Sequence, residues 1–120
     1  PDGNVGIGTS SPASALDIQG SQTIKRTPSA AGSYAVVATD FLIGKTGITG
    51  GGDTVSLPSA ATVGVGKLYR IKDESGTAGT NPITIDPNGS ETIDGADTYM
   101  IQTNYGAVTI YSNGTNWFIA

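Results

Sequence analysis

Two glycine-bearing stretches of the sequence come close to motifs that bind nucleotides. Gly44-Lys45-Thr46 ends like a phosphate-binding loop, but that motif needs another glycine five positions before its own, where the sequence has Thr39. No helical pattern follows this stretch. Gly6-Ile7-Gly8 could open a dinucleotide-binding motif only with a third glycine three residues later, where the sequence has Ser11. We therefore expect no nucleotide site and no bound cofactor, and we interpret the first stretch as the end of a strand.

Acidic residues beside turns could bind a cation or hydrolyse a glycoside. The candidate calcium ligands are Asp86, Asn88, Glu91 and Asp94. They lack the ligand spacing of a calcium loop, and Asp and Asn also form turns without a metal. Hydrolysis needs two carboxyl groups about 5 to 9.5 Å apart across a cleft, for which a chain of 120 residues has little room. The candidates for that pair are Asp73, Glu74, Asp86, Asp94 and Asp97. We expect turn chemistry here, with no metal site and no catalytic residue, so the sequence predicts that the protein is not an enzyme.

The residue types that are missing exclude further functions. The sequence has no cysteine and no histidine, which removes disulfides, thiolate metal sites and the commonest general base. Six lysines and arginines stand against ten acidic residues, so there is no basic patch for a nucleic acid. No apolar run approaches the roughly 18 residues of a membrane span. We expect neither a nucleic-acid partner nor membrane insertion.

The composition favours an all-β fold. Isoleucine outnumbers leucine by twelve to four and threonine occurs 16 times, and β-branched side chains suit a pleated sheet. Turn residues separate eight predicted strands, at residues 34–39, 41–45, 54–57, 67–72, 83–86, 98–102, 108–112 and 116–119. We find no repeat of fixed period that would indicate a solenoid. The prediction is a β-sandwich or jelly-roll-like head, with a prism or a partly open barrel as alternatives.

The last two strands should form a hairpin. Asn113-Gly114 predicts a two-residue type I′ turn, which would pair Ile110 with Trp117. Because side chains alternate along a strand, Trp117 would lie in the core while Tyr111 and Phe118 share the other face. The predicted core face contains Val108, Ile110, Trp117 and Ile119. The aromatic pair on the other face indicates a second contact surface.

Some aromatic side chains could contact a ligand. Tyrosine combines an apolar ring face with a polar tip, which is suited to stacking on a sugar. Tyr105 lies in the turn Asn104-Tyr105-Gly106 and is the tyrosine that we expect to be most exposed. The candidate ligand contacts are Tyr105, Tyr111 and Phe118. The competing interpretation is that the tyrosines are interface or strand-surface residues.

Large apolar residues are scarce. Leucine, isoleucine, valine and phenylalanine together make 25 of 120 residues, close to the roughly 20% below which highly charged chains tend to be disordered. The net charge of −4 is modest, so self-repulsion does not prevent collapse. A chain of this kind can complete its core with surface from a partner, and we expect an obligate oligomer.

The N-terminal residues alternate glycine with apolar side chains. The stretch reads Gly3-Asn4-Val5-Gly6-Ile7-Gly8-Thr9, then Leu16-Asp17-Ile18-Gln19-Gly20. It closely resembles a stretch of bacteriophage tail-fibre and related virion-fibre proteins. Residues 71–85 and 111–117 resemble a module of the same proteins. The resemblance implies a homotrimer whose distal modules touch glycans or proteins of the host surface. The residues expected at the trimer interface are Val5, Ile7, Leu16 and Ile18.

These observations predict a layout and a function. Residues 1–26 would form an extended trimerisation or shaft segment, residues 27–33 a linker, and residues 34–120 the head. The function would be that of a structural virion-fibre module on the particle surface. Its partners would be copies of itself, other fibre or tail proteins, and a host glycan or receptor. The alternatives are a glycan-binding adhesion module and a subunit of a bacterial surface filament or adhesin.

Overall fold

The computed structural model describes residues 3–120, in which nearly all of the regular secondary structure is β-strand. The strands are β1 (Val5–Ile7), β2 (Leu16–Ile18), β3 (Arg26–Ser29), β4 (Tyr34–Ala35), β5 (Leu42–Lys45), β6 (Asp53–Ser56), β7 (Leu68–Asp73), β8 (Ile83–Asp86), β9 (Tyr99–Ile101), β10 (Ala107–Ser112) and β11 (Trp117–Ile119). One helical turn, α1 (Ala60–Val63), connects β6 to β7. The all-β prediction is confirmed, and each of the eight predicted strands has a counterpart within a few residues.

Residues 3–20, called the arm below, form a small unit of their own. Strands β1 and β2 pair in parallel, with Val5 opposite Leu16 and Ile7 opposite Ile18. The Val5 N–H donates to the carbonyl of Ala15 at 2.8 Å, and the Gln19 N–H donates to the carbonyl of Ile7 at 2.9 Å. Between described residues, every hydrogen bond of the arm stays within the arm. The first two residues of the predicted shaft segment lie outside the described part of the chain.

Residues 26–120, called the head, form two packed sheets. The strand order is β11-β10-β7-β5-β3 in one sheet and β4-β6-β8-β9 in the other. From β3 to β8 the chain passes alternately from one sheet to the other, and each new strand pairs in parallel with the strand two before it. The strand order, which the sequence left open, is therefore a coil of three turns between two sheets.

The turns of this coil differ in length. In the five-stranded sheet Arg26 pairs with Leu42 and Leu42 with Arg70, which gives spacings of 16 and 28 residues. In the other sheet Tyr34 pairs with Val55 and Asp53 with Ile83, which gives spacings of 21 and 30. Unequal turns leave no fixed period in the sequence, which explains why none was found.

The final strands close the coil with antiparallel pairing, and here the predicted hairpin turn is wrong. Ser112 lies opposite Trp117 and Ile110 opposite Ile119, so the connection has four residues instead of two. A type I′ turn needs positive φ at both central residues, but here only Gly114 has it, at 91°. The side chain of Asn113 instead accepts the N–H groups of residues 115 and 116, at 3.0 and 2.8 Å.

The hairpin error changes the register by two residues and therefore leaves the faces intact. Trp117 is fully buried, as predicted, and its ring packs 5.6 Å from that of Tyr69, between centroids. Ile119 is the exception on the predicted core face, because it lies exposed at the end of the edge strand. The core between the sheets contains Val36, Ile43, Val55, Leu57, Ala60, Tyr69, Ile71, Ala78, Ile83, Ile85, Ile93, Ile101, Val108, Ile110 and Trp117.

The structure differs from the predicted linker at residues 27–33. Arg26–Ser29 form strand β3 at the edge of the five-stranded sheet, paired in parallel with β5. Ser29 is buried, and the hydroxyl of Thr27 donates to Asp40 at 2.7 Å. The proline and small residues that suggested a linker are compatible with an edge strand. The first residues of the predicted linker thus belong to the head sheet.

Candidate interaction surfaces

The four residues predicted at the trimer interface lie on one face of the arm. Paired residues of neighbouring strands point to the same side, so the register places Val5, Ile7, Leu16 and Ile18 together. The exposed fractions are 53% for Val5, 55% for Ile7 and 56% for Leu16, and Ile18 is half-buried. This surface, called the apolar face of the arm, is not covered by any described residue of the chain.

The opposite side of the arm is held by polar contacts. Asp17 accepts the N–H of Ala13 at 2.8 Å and the side-chain amide of Gln19 at 2.7 Å. The hydrogen bond from the Ala13 backbone, followed by that from Gln19, lowers the pKa of Asp17. Gly8 has a φ of 79°, and a Cβ there would lie 2.8 Å from the carbonyl oxygen of Gln19. The arm therefore has one polar, internally bonded side and one apolar, uncovered side.

Tyr111 and Phe118 lie together on the outer face of the five-stranded sheet. They are opposite each other in β10 and β11, and their rings stack with centroids 5.7 Å apart and planes inclined by 28°. Tyr111 is 38% exposed and Phe118 is half-buried. The structure thus places this predicted aromatic pair on an external surface.

Tyr105 lies elsewhere. It precedes β10, whereas Tyr111 lies near the far end of that strand, so about 20 Å separates them at the usual rise per residue. Tyr105 is 62% exposed. The three candidate ligand contacts therefore do not form one site: Tyr111 and Phe118 form one surface and Tyr105 another.

Lys45, the lysine of the nucleotide-like stretch, is fully buried in the head. Its ammonium group lies 3.0 Å from a carboxylate oxygen of Asp53 and donates to the carbonyl oxygens of Ala30 at 2.7 Å and Gly32 at 2.6 Å. Burial raises the pKa of Asp53, but hydrogen bonds from Thr49, Lys45 and Gly32 outweigh it and lower the pKa to about 2. The ion pair joins β5 to β6 in the second turn of the coil, and the hydrogen bonds to Ala30 and Gly32 connect it to the first turn.

Asp73, one of the candidate catalytic carboxylates, is a buried structural anchor. One oxygen accepts the N–H groups of Ser75 at 2.9 Å and Gly76 at 3.0 Å, and the other accepts those of Ala78 and Tyr105, both at 3.0 Å. Burial raises the pKa of this carboxyl. These hydrogen bonds and that of the Ser75 hydroxyl lower the pKa by more, so it lies below its ordinary value. Asp73 therefore connects the loop after β7 to the turn before β10. The sequence gives its position beside a turn but not its burial.

The acidic stretch after β8 also makes contacts within the head. Glu91 accepts the N–H of Ala60 at 3.1 Å and the indole N–H of Trp117 at 3.1 Å. Asp94 accepts the N–H of Ile119 at 3.1 Å. Across residues 3–120 there is no pocket, and no group of three or more acidic side chains is arranged to hold a metal ion. None of the helical structure in that range is long and apolar enough to cross a membrane.

A comparison with protein families matches the chain to one of them. The family model for "Bacteriophage T4 gp9/10-like protein, N-terminal" matches residues 14–116, which is most of the sequence. The chain belongs to the T4 gp9/10-like family. No curated protein matches it. The family consists of phage structural proteins of the tail-fibre or baseplate type, so the chain is a phage structural module and a virion component.

The match to the T4 gp9/10-like family does not cover the whole chain. It includes β2 and nearly all of the head but begins after β1, so it covers residues 16–20 of the stretch that resembles fibre proteins but not the glycine-rich residues 3–9. That part of the resemblance stays a prediction, as does the assignment of the interface residues. A structural family favours a role without catalysis.

Proposed function

We propose that this chain is a module of a homotrimeric virion appendage, a tail fibre or a baseplate part, in which the arm joins the copies. The observation that carries the proposal is the uncovered apolar face of the arm. A two-stranded ribbon is marginally stable by itself in water. Its order is explained if other copies cover Val5, Ile7, Leu16 and Ile18.

Covering the apolar face would favour assembly. About half of the surface of Val5, Ile7 and Leu16 is still exposed. Each would therefore contribute on the order of 1 kcal/mol per copy when neighbouring copies remove it from water. A closed rotational arrangement of identical chains lets the same face be covered in every copy.

The test introduces charge on the apolar face. In the double variant Ile7→Asp with Ile18→Asp, two carboxylates would have to be buried without partners, which is strongly unfavourable. Light scattering after size exclusion should give three chains of 12.1 kDa, about 36 kDa, for the wild type and a single chain for the variant. Fluorescence of Trp117 should be unchanged, because the head makes its own core.

A control variant has the same change in net charge without touching the apolar face. Ser10→Asp with Ser21→Asp adds two carboxylates at exposed positions and should keep the trimer mass. If the wild type is a single chain at micromolar concentration, the trimer proposal is wrong. If the Ile7→Asp, Ile18→Asp variant keeps the wild-type mass, the assignment of the arm is wrong.

We also propose that the head is displayed on the outside of the particle, where it contacts the host surface. Two exposed aromatic surfaces support this part of the proposal, one at Tyr105 and one at Tyr111 with Phe118. Immunogold labelling of intact particles with an antibody against the head would show labelled appendages if the head is external. Labelling only after particle disruption would contradict it.

A further inference from the structure

Two asparagines of the chain directly precede a glycine, and such a pair can undergo an internal reaction. In Asn88-Gly89 and Asn113-Gly114, the backbone nitrogen of the glycine can attack the side-chain carbonyl carbon of the asparagine. Glycine hinders this approach least, because it has no Cβ. The reaction needs an asparagine side chain and a following nitrogen that are both free to move. The structure therefore decides which of the two pairs can react.

The structure leaves Asn88 free. It is exposed in the loop after β8, and neither its side-chain amide nor the N–H of Gly89 forms a hydrogen bond to a described residue. A Cβ on Gly89 would meet no atom within 4 Å, so the space around the reacting groups is open. The main-chain carbonyl of Asn88 accepts the N–H of Glu91 at 3.0 Å. That bond closes the turn without engaging either reacting group.

Asn113 is held at both reacting positions. Its side-chain oxygen accepts the N–H groups of residues 115 and 116, at 3.0 and 2.8 Å, and the N–H of Gly114 donates to the hydroxyl of Ser112 at 2.9 Å. A Cβ on Gly114 would lie 3.0 Å from a methyl group of a neighbouring valine, so this turn is also more crowded. These hydrogen bonds would have to open before the nitrogen could reach the carbonyl carbon.

The remaining four asparagines are constrained as well. The side-chain oxygens of Asn104 and Asn116 accept backbone N–H groups at 2.8 and 2.9 Å, and the N–H that follows each of them is also hydrogen-bonded. The N–H that follows Asn4 donates to a backbone carbonyl at 2.8 Å. Asn81 precedes a proline, which has no N–H group. Within residues 3–120, Asn88 is thus the asparagine with both reacting groups unengaged.

We propose that Asn88 is a site of spontaneous deamidation. The nitrogen of Gly89 forms a bond to Cγ of Asn88, the bond from Cγ to the side-chain nitrogen breaks, and ammonia leaves with the proton of the Gly89 N–H. The cyclic imide then takes up one water molecule, which opens it at either of its two carbonyl groups. The products are aspartate and isoaspartate, and no atom is oxidised or reduced.

The modification changes the charge of an already acidic loop. Asp86, Asp94 and Asp97 are exposed on the same stretch of chain. Each event replaces a neutral amide by a carboxylate, so it adds one negative charge to the net charge of −4. The isoaspartate form also carries the main chain through the former side chain, which lengthens the turn. The loop therefore becomes more acidic with time, without an enzyme.

The experiment compares the two asparagine–glycine pairs within one protein. The full chain is incubated in a mildly alkaline buffer, either folded or in concentrated urea. An endoproteinase that cleaves after glutamate then separates residues 75–91, which contain Asn88, from residues 92–120, which contain Asn113. Mass spectrometry gives the deamidated fraction at each asparagine, and synthetic reference peptides distinguish aspartate from isoaspartate.

The folded and unfolded chains should give different results. In the folded protein Asn88 should react at least about fivefold faster than Asn113, because hydrogen bonds that must open first make the reactive conformation rarer. In urea the two rates should be similar, since both asparagines precede glycine. The variant Asn88→Gln is the matched control. It keeps the amide but lengthens the side chain, so residues 75–91 should gain almost no product.

Two results would overturn the proposal. Equal rates at Asn88 and Asn113 in the folded protein would show that the hydrogen bonds do not select the site. A rate at Asn88 in the folded protein no higher than that at Asn104 would show that the loop does not allow the reaction. Neither result depends on the mass of the assembly, which tests the proposed trimer separately.

Discussion

Three acidic side chains in this head are buried, and each connects segments that are distant in the sequence. Asp40 accepts the hydroxyl of Thr27, Asp53 accepts the N–H of Gly32, and Asp73 accepts the N–H of Tyr105. The pKa of each lies below its ordinary value, because hydrogen bonds outweigh the effect of burial. The folded state therefore prefers all three as ionised carboxylates.

This arrangement predicts a loss of stability in acid. A carboxyl whose pKa is lower in the folded than in the unfolded chain stabilises the fold above its unfolded value and loses that contribution as the pH falls. For Asp53, with a pKa of about 2 against an ordinary 3.8, the contribution is about 2 kcal/mol, lost between roughly pH 4 and pH 2. Urea unfolding followed by Trp117 fluorescence should give a constant free energy from pH 5 to pH 8 and a steep fall below pH 4.

The variant Asp53→Asn isolates one part of this effect. It leaves the buried ammonium group of Lys45 without its counter-charge, which should cost about 3 to 5 kcal/mol at neutral pH. Its free energy of unfolding should also fall less between pH 4 and pH 2 than that of the wild type. An equal fall in both proteins would show that Asp53 is not among the groups responsible. The sequence places Lys45 beside a glycine-rich loop, but its burial depends on Asp53 from the next strand, β6, which lies in the other sheet.

At the scale of single elements, strand β3 shows how the open edge of the coil is protected. The carbonyl groups of Lys25 and Ser29 accept N–H groups of Leu42 and Thr46 from the β5 side, at 3.2 and 2.8 Å. In a parallel strand, alternate residues direct their backbone N–H and C=O groups to the same neighbouring strand. Because Lys25 and Ser29 bond to β5, the backbone nitrogen of Pro28 faces the free edge. Proline has no N–H group, and a proline on an edge strand hinders pairing with another chain.

Pro28→Thr should therefore promote association through this edge. It adds an N–H group and a strand-forming side chain where the edge is open, while the free energy of unfolding should change by no more than about 0.5 kcal/mol. Static light scattering over rising protein concentration should reveal particles larger than the wild-type assembly. Gln22→Thr, an exposed position outside the strands, is the matched control and should behave like the wild type. Equal scattering from the two variants would show that Pro28 does not protect the edge.

The elements also show what the sequence could and could not predict. Strands were located well because alternating β-branched residues and turn residues are local signals, as in Ile83–Asp86, where prediction and structure coincide. The turn after Ser112 was mispredicted because the side chain of Asn113 bonds to the backbone and makes a longer loop. The face of Trp117 was still correct, because a shift of two residues preserves the alternation.

At the scale of the whole molecule, pairing between distant strands was the part that local patterns could not give. The parallel pairs of the coil join residues 16 to 30 apart in the sequence, as for Arg26 with Leu42 and Asp53 with Ile83. The candidate surfaces show the same difference between local features, which the sequence predicts, and contacts between distant residues, which it does not. The exposure of Tyr105 follows from its turn, whereas its contact with Gly76 requires Asp73 to bring two loops together.

The arm and the head should differ in how their order depends on assembly. The head has its own core, whereas the hydrogen bonds of the arm stay within residues 3–20 and its apolar face is uncovered. Amide hydrogen exchange reports local opening free energies. In the assembled wild type, the amides of Val5 and Gln19, which bond to carbonyls within the arm, should exchange slowly. In the Ile7→Asp, Ile18→Asp variant they should exchange at nearly unfolded rates, while amides of β7 and β10 keep their protection. Equal protection of the arm in both proteins would mean that the ribbon is stable by itself, and the apolar face would then have to be explained by a partner other than a second copy of the chain.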